Sequence, residues 1–302
     1  MKEFLIEVES NNIGKIERKV SLSKYTTYQV GGVAKCIVYP KNTEKLVMLM
    51  KLLKKHKLKF KILGNGSNLL FSDKVFNDVL IKLDCFNDVN FYDNKITVGA
   101  GFSLMRLSMM AARRGLSGLE FAAGIPGTIG GAIYMNAGAY KSDMGYVVTS
   151  VKVLTPDFKI IELVNRELDF HYRSSFFQKH RGYICLEADI KLKRGDKDEI
   201  DKVIKDRKAR RVESQPLEYP SAGSVFRNPD LEHPAGKLIE DIGLKGLMKG
   251  KAQVSTKHAN FVINTGGAKA KDIRDLILFI QETVKDEYNI DLKIEQEFVN
   301  WE

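Results

Sequence analysis

Residues 120–141 read EFAAGIPGTIGGAIYMNAGAYK, and the twenty residues between Glu120 and Lys141 carry no charge. A membrane-spanning helix needs about 20 predominantly apolar residues in unbroken helix, and Gly127 and Gly131 stand at the G-x-x-x-G spacing of packed spanning helices. The composition rejects a span. Pro126 breaks a helix, Thr128 and Asn136 are polar, and Gly124, Gly127, Gly130, Gly131 and Gly138 would each weaken a water-soluble helix by about 1 kcal/mol relative to alanine. The stretch is predicted to be a loop whose backbone comes close to a large planar or phosphorylated ligand, where side chains would obstruct and N–H groups can donate. The competing reading is that the glycines let two buried elements pack closely.

Outward from this stretch the chain alternates helices and strands. Residues 103–115 form a helix capped by Ser103 and ended by Gly115, preceded by strands at 78–83 and 95–101. Asn42 or Thr43 caps an earlier helix with the stripe Leu46, Val47, Met50, Leu53 and Leu58; a strand at 59–63 follows and stops at Gly64-Asn65-Gly66-Ser67-Asn68. A strand running into a glycine-rich turn is an arrangement in which backbone amides can cradle a pyrophosphate. Toward the C-terminus come two strands about Pro156-Asp157, another at 183–193, and a strongly charged helix with a proline-containing connection at 194–220. Beyond lie a strand at 259–267, a helix at 270–288 with Ile273, Leu276, Ile277, Ile280 and Val284 on one face, and a last strand at 290–300. The class is α+β with no internal repeat. At 302 residues the chain exceeds one ordinary domain. The main boundary is expected near residue 196, giving 1–196 (sub-domains about 1–80 and 81–196) and 197–302.

Apolar residues at 44% and charged residues at 28% exclude disordered and fibrous classes. The net charge of +10 invites a nucleic-acid partner. Acids interleave with the lysines in nearly every segment, however, so a nucleotide-sized ligand is expected instead. Cys36, Cys85 and Cys185 stand far apart, with no C-x-x-C and no histidine at metal spacing; this reads as buried thiols in a reducing compartment, with no disulfide framework and no metal site. The N-terminal MKEFLIEVESNN has acids inside its only apolar run and no small-residue cleavage site, so it is not a signal peptide, and the expected location is the cytosol.

Two glycine-rich loops more than fifty residues apart, neither a Walker A nor an opening G-x-G-x-x-G, point to a dinucleotide held outside the Rossmann pattern, for which a flavin fits. Gly31-Gly32 adds a third site of backbone approach, with Thr26, Thr27 and Tyr28 as possible hydroxyl partners. Arg173, embedded in FHYRSSFF (170–177), carries a guanidinium that stays charged and calls for a carboxylate or phosphate partner, in a ligand or in a structural ion pair. Ser224 follows Gly223 in YPSAGSVFRNP (219–229). This is no G-x-S-x-G elbow and no histidine is placed to serve it, which argues against a hydrolase triad and leaves a turn residue or a catalytic one. Glu295 and Glu297 alternate on one face of the last strand, with Ile294 and Phe298 on the other, and exposure is their default. His258 lacks a metal-type partner and reads as a hydrogen-bonding side chain.

In order along the chain, TTYQVGG (26–32), ILGNGSNLLFSD (62–73), GLEFAAGIPGTIGGAIYMNAGAY (118–140), YRSSFF (172–177), PSAGSVFRNP (220–229), AGKLIEDIGLKG (235–246), VSTKHANFVIN (254–264) and IEQE (294–297) resemble the motifs of the UDP-N-acetylenolpyruvoylglucosamine reductase family, in its shorter subgroup. The resemblance runs from about residue 21 to 298. It implies a bacterial, cytoplasmic FAD enzyme of peptidoglycan precursor synthesis. An FAD-binding domain of the vanillyl-alcohol-oxidase type would occupy 1–196 and a substrate-binding domain 197–302. Noncovalent FAD would be reduced by NADPH, which leaves and is replaced by UDP-N-acetylglucosamine enolpyruvate, giving UDP-N-acetylmuramate. No nucleic-acid or membrane partner is implied, and the expected state is a monomer or weak oligomer.

Residue by residue, the resemblance implies that Gly64, Asn65, Gly66, Ser67, Asn68, Gly124, Ile125, Pro126, Gly127, Gly130 and Gly131 bind the cofactor. Hydride from flavin N5 to the terminal vinyl carbon leaves an enolate; Arg173 supplies fixed positive charge, Glu297 completes the enolate-binding arrangement and Ser224 is the proton donor. Asn228 and His258 match substrate-contacting positions, and Arg210 or Arg211 would reach the UDP diphosphate. The chain departs from the family pattern in Lys251, where a second glycine is usual after Gly250, in Gln296, where proline is common, and in the ending FVNWE; these bear on the fine shape of the pocket. Two alternatives would keep the glycine loops: an FAD-dependent oxidase of the same fold, and a nucleotide-binding module without turnover. The first often tethers FAD through His or Cys, and no His lies in these loops; the second has no need of Arg173, Ser224 and Glu297 together.

Overall fold

In the computed structural model, which describes residues 1–301, the chain crosses five times between two units. The first comprises Met1–Arg18, Cys36–Gly64 and Asp78–Ala209; the second comprises Lys19–Lys35, Asn65–Asn77 and the chain from Arg210 onward. The units therefore do not part at residue 196. Two N-terminal segments join the C-terminal third, and most of the charged helix that starts at Lys197 stays with the first unit.

The first unit is built on a five-stranded antiparallel sheet in the order Ile160–Val164, Val148–Leu154, Ile184–Lys191, Lys95–Gly99, Val89–Tyr92. A second sheet has the order Gly14–Ser21, Val33–Pro40, Phe76–Ile81, Phe60–Ile62, the last pair parallel. Helices α1 (Lys2–Ser10), α2 (Thr43–Lys55) and α3 (Leu104–Ala112) bury their apolar faces in one continuous core. The expected caps are in place: Asn42 Oδ1 accepts from Lys45 N at 2.9 Å, and Ser103 Oγ accepts from Arg106 N at 3.3 Å. Leu46, Met50 and Leu53 are buried in α2 as expected, but Leu49 is buried and Val47 only partly, so the stripe is turned slightly from the expected one.

The uncharged stretch is not all loop. Thr128 Oγ1 accepts from Gly131 N at 3.2 Å and caps α4 (Ile129–Met135), which buries Ile129, Ala132 and Ile133 and ends at Asn136 in a left-handed conformation. A short helix survives its two glycines because its other face is packed, and tertiary burial outweighs propensity. Among the described residues no helix is long and apolar enough to cross a membrane. After α5 (Phe176–Lys179) comes α6 (Lys197–Ser214), whose Ile200 and Ile204 cluster with Ala112 and Ala123 of the same unit. Of the three thiols expected to be buried, Cys85 is exposed. Burial pushes the Cys36 thiol up to about 11 and the Cys185 thiol up to about 12, so both stay protonated at neutral pH.

The second unit holds its own core between α7 (Ala235–Asp241), α8 (Ala270–Tyr288) and a small antiparallel sheet of Met248–Lys249, Ala252–Val254 and Val262–Asn264. The face of α8 is the expected one, with Ile273, Leu276, Ile277, Ile280 and Val284 all buried. The 65–77 segment belongs here for two reasons. Leu69–Phe71 pairs in parallel with Glu297–Val299, and Asp73 accepts from Ala270 N and Lys271 N, each at 3.0 Å, at the start of α8. A carboxylate in that position satisfies orphan amides and complements the helix dipole. Asp73→Ala is expected to cost about 1 kcal/mol of stability. The measurement is the urea midpoint followed by circular dichroism, and an unshifted midpoint would show that this cap contributes nothing.

Candidate functional site

In the second unit, residues 225–227 pair antiparallel with 293–295. Glu295 N donates to Val225 O at 2.8 Å, Arg227 N donates to Lys293 O at 2.9 Å, and Phe226 bridges Ile294. Further along the same strand Glu297 N donates to Asn68 O at 2.9 Å, while Asn68 Nδ2 donates to Glu295 O at 3.0 Å. Val225–Arg227, Glu297 and the Asn68 end of the glycine turn are thereby joined by one strand, with Ser224 immediately before the paired residues. Glu295 and Glu297 are half-buried, not exposed, because the strand is flanked rather than at a free surface. Gln296 between them is only 4% exposed. Its Oε1 accepts from the Tyr28 hydroxyl at 2.9 Å, and its Nε2 faces the carbonyls of Ala222, Gly223 and Ser224 at 3.2, 3.3 and 3.4 Å.

The glycine turn straddles a crossing between units. Gly64 belongs to the first unit, where its carbonyl accepts from Lys82 Nζ at 3.0 Å. Gly66 belongs to the second, at φ +63°, where a Cβ would fall 2.0 Å from the Tyr25 carbonyl oxygen, so no other residue fits. Thr27 N donates to Gly66 O at 3.3 Å. Of the three hydroxyls expected nearby, Thr26 donates to Val30 O and Tyr28 to Gln296, whereas Thr27 Oγ1 is buried without a hydrogen-bond partner among the described residues. A buried hydroxyl left unsatisfied is costly and asks for a partner.

In the first unit the glycines of the uncharged stretch divide by task. Gly130 N donates to Ala100 O at 2.8 Å, and a Cβ on Gly130 would sit 3.1 Å from Ala100 Cβ. Gly131 N is taken by the Thr128 cap. These two therefore serve close packing and capping, which is the competing reading of the sequence. Gly127 differs: a Cβ there meets nothing within 4 Å. The segment Gly124, Ile125, Pro126, Gly127 is half-buried to exposed and offers backbone that a ligand can approach.

Arg173 occupies a tight turn in the same unit. His171 and Ser174 exchange two backbone hydrogen bonds of 3.0 Å, and Arg173 between them has φ +53°. Gln178 Nε2 donates to the Arg173 carbonyl at 3.1 Å, and Asn136 Nδ2 to that of His171 at 2.9 Å. The guanidinium donates to Gly138 O at 2.7 Å and lies 5.0 Å from the Tyr172 ring centre.

The remaining residues are less gathered. Asn228 is exposed and its Oδ1 accepts from Ala235 N at 3.1 Å, at the start of α7. Arg210 is exposed and Arg211 half-buried, both in the last turns of α6. His258 Nδ1 accepts from Asn260 N at 3.2 Å, which leaves Nε2 to carry the proton and donate. Burial, aided by the nearby Lys245, pushes its pKa below the ordinary imidazole value, opposed in part by Glu240. What sequence reasoning missed is the pairing of Gln296 with Tyr28, each named there for another reason. The signal was present: Gln296 shares with Ile294 and Phe298 the face assigned as apolar, and a polar residue on such a face needs internal partners.

A histidine whose folded pKa lies below its unfolded value of about 6.5 favours the folded state fully above that pH and loses the advantage as pH falls through the folded pKa. An NMR titration of the His258 ring is expected to give a midpoint below that of an unfolded control. A midpoint at or above the control would contradict the neutral, Nε2-protonated ring.

Residues 34–163 match the family model described as FAD binding domain, and residues 215–299 match that described as UDP-N-acetylenolpyruvoylglucosamine reductase, C-terminal domain. The chain is 44% identical to the UDP-N-acetylenolpyruvoylglucosamine reductase of Bacillus licheniformis and 41% identical to that of Bacillus subtilis, in each case over 99% of both chains. The crystal structure of UDP-N-acetylenolpyruvylglucosamine reductase from Thermus caldophilus superimposes with a TM-score of 0.81 at 37% identity, covering 94% of this chain and 99% of that one. The FAD-binding match spans both glycine segments. The open α-carbon of Gly127 and the unsatisfied Thr27 hydroxyl each fit a flavin dinucleotide, whereas the missing side chain of Gly66 is accounted for by the Tyr25 carbonyl.

Proposed function

Because the chain belongs to the UDP-N-acetylenolpyruvoylglucosamine reductase family, FAD-dependent oxidoreductases of peptidoglycan precursor synthesis, we propose that it reduces UDP-N-acetylglucosamine enolpyruvate to UDP-N-acetylmuramate with NADPH as reductant, in the bacterial cytoplasm. The observation that carries the residue assignments is the lacing of 225–227 to 293–295, with the Gln296 side chain on the carbonyls of 222–224, which brings Ser224 beside the strand of Glu297. Gly64–Asn68 and Gly124–Gly127, supported by the packing of Gly130 and Gly131, would hold FAD, which when bound would supply the hydride for the terminal vinyl carbon of the substrate.

The residues of this chain then manage what that transfer leaves behind. An electron pair develops on the adjacent carbon and spreads into the substrate carboxylate as an enolate. Arg173 places a permanent positive charge against it, in an orientation its turn and the Gly138 carbonyl hold in advance. Glu297 completes the arrangement from the strand. Ser224 transfers its hydroxyl proton to the carbanionic carbon, forming the new C–H bond, and water restores the hydroxyl. A serine is a poor acid; it serves here because the carbon is a strong base. At the nucleotide end, His258 donates through Nε2, Asn228 through its amide nitrogen, and Arg210 or Arg211 meets the diphosphate.

Ser224→Ala is expected to leave anaerobic bleaching of FAD by NADPH, read near 450 nm, at its original rate. Reoxidation by the enolpyruvyl substrate should slow by roughly 10²–10⁴-fold. Equal losses in both half-reactions would make Ser224 structural. For Arg173→Lys, reoxidation is expected to fall by on the order of 10²-fold, since a point charge does not reproduce a planar fork. Near-normal turnover of the lysine variant would remove Arg173 from the site.

A further inference from the structure

We infer that Gln296 is the positioning residue for Ser224: its buried carboxamide fixes the backbone of 222–224, and through it the direction of the serine hydroxyl. The inference rests on the role given above to Ser224 as proton donor, and it names the part that aims it.

The orientation of the amide follows from chemistry. The three carbonyls of Ala222, Gly223 and Ser224 can only accept, so the nitrogen end must face them; the oxygen end then faces Tyr28, whose hydroxyl must donate. Tyr28 is fully buried, and burial raises its pKa far above the ordinary phenol value, so the hydroxyl remains a donor at every working pH. Two N–H groups are thus shared among three oxygens at 3.2–3.4 Å. Each contact is at the long end of the hydrogen-bond range, but the clamp spans three consecutive peptides, and no side chain of the loop itself supplies an equivalent hold. Gly223 needs one. It stands at φ +74° with no heavy atom within 4 Å of where a Cβ would lie, so neither a side chain nor close neighbours restrict it.

The same residue lies in the chain immediately before Glu297, whose backbone nitrogen is tied to Asn68. One side chain therefore couples the loop of the proposed proton donor to the strand of its proposed partner. Proline at this position would still close the strand but could neither donate to the loop nor accept from Tyr28, so this chain has a mode of support that its common alternative lacks.

The test is a double-mutant cycle. Gln296→Met keeps the volume and removes the clamp. In the parent background it is expected to slow reoxidation by the enolpyruvyl substrate by roughly 10–100-fold, the scale of a misplaced catalytic group, and to raise the solvent deuterium isotope effect on that step. FAD reduction by NADPH should be unchanged. In a Ser224→Ala background the same substitution should cost almost nothing, because the group it aims is gone. Amide hydrogen exchange of the cofactor-free protein should also rise in peptides covering 220–227 and not in those covering α8. Equal slowing in both backgrounds, or loss of both half-reactions, would overturn the inference while leaving Ser224 as donor. Fast reoxidation by Ser224→Ala itself would instead overturn the reading on which the inference rests. Should Gln296→Met fail to fold, Tyr28→Phe removes only the hydroxyl that orients the amide. It is then expected to reproduce the background-dependent slowing in weaker form, and full activity of Tyr28→Phe would overturn the clamp.

Discussion

The second unit depends on its last strand. Residues 293–299 accept 225–227 along one part of their length and 68–72 along the other, through backbone hydrogen bonds near 2.9 Å at Lys293, Glu295, Glu297 and Val299. These pairings join segments separated by some seventy residues in one case and by more than two hundred in the other. Such separations are tolerable because closure entropy grows only logarithmically, about 0.6 kcal/mol for each doubling of the loop. The consequence for the site is direct. The glycine turn, the serine loop and the acidic pair are not three independent loops but three edges of one ladder, and a displacement of the strand would move all of them.

The crossing pattern has a similar logic. The turn at 64–68 begins in one unit and continues in the other, and it is built into both by contacts of different kinds. Gly64 is anchored through a lysine amine on its carbonyl, Gly66 by a backbone approach so close that only hydrogen fits at its α-carbon. A turn fixed at both ends in this way has a defined shape without any side chain pointing inward, which is what a backbone cradle for a dinucleotide requires. The unsatisfied hydroxyl of Thr27 beside it is the one polar group of the TTY triplet that the protein leaves unused.

What was legible in the sequence follows from the range of the forces involved. The core face of α8, the Asn42 and Ser103 caps and the strands on either side of Pro156-Asp157 and at 184–191 are written in local periodicity and local hydrogen bonding, and they appear where expected. Membership in the family was legible from ordered motifs. The helix inside the uncharged stretch was not, because propensity counts glycines against a helix and is silent on the packing that rescues Ile129 and Ile133. Nor could glycines that meet a ligand be told from glycines that meet Ala100, since both tasks ask for the same missing side chain. The interleaved units and the Gln296 clamp rest on partners far away in the chain, and periodicity carries no information about those.

Arg173 shows how a violation of a local rule can be read. An L-residue in the left-handed region costs roughly 1–2 kcal/mol, and glycine at this position would remove that cost. The turn keeps an arginine there nonetheless and surrounds it with compensation: paired backbone bonds between His171 and Ser174, a glutamine on its carbonyl, and an asparagine on the carbonyl two residues before. None of those contacts needs a guanidinium; glycine would keep every one of them. The strain is therefore borne for the side chain alone. Among its contacts, the side chain donates to the Gly138 carbonyl and lies beside the Tyr172 ring, and these offset part of the strain. On the role proposed for Arg173, a charge that must already be in place when an anion forms beside it gives a reason for a turn that fixes the arginine in advance.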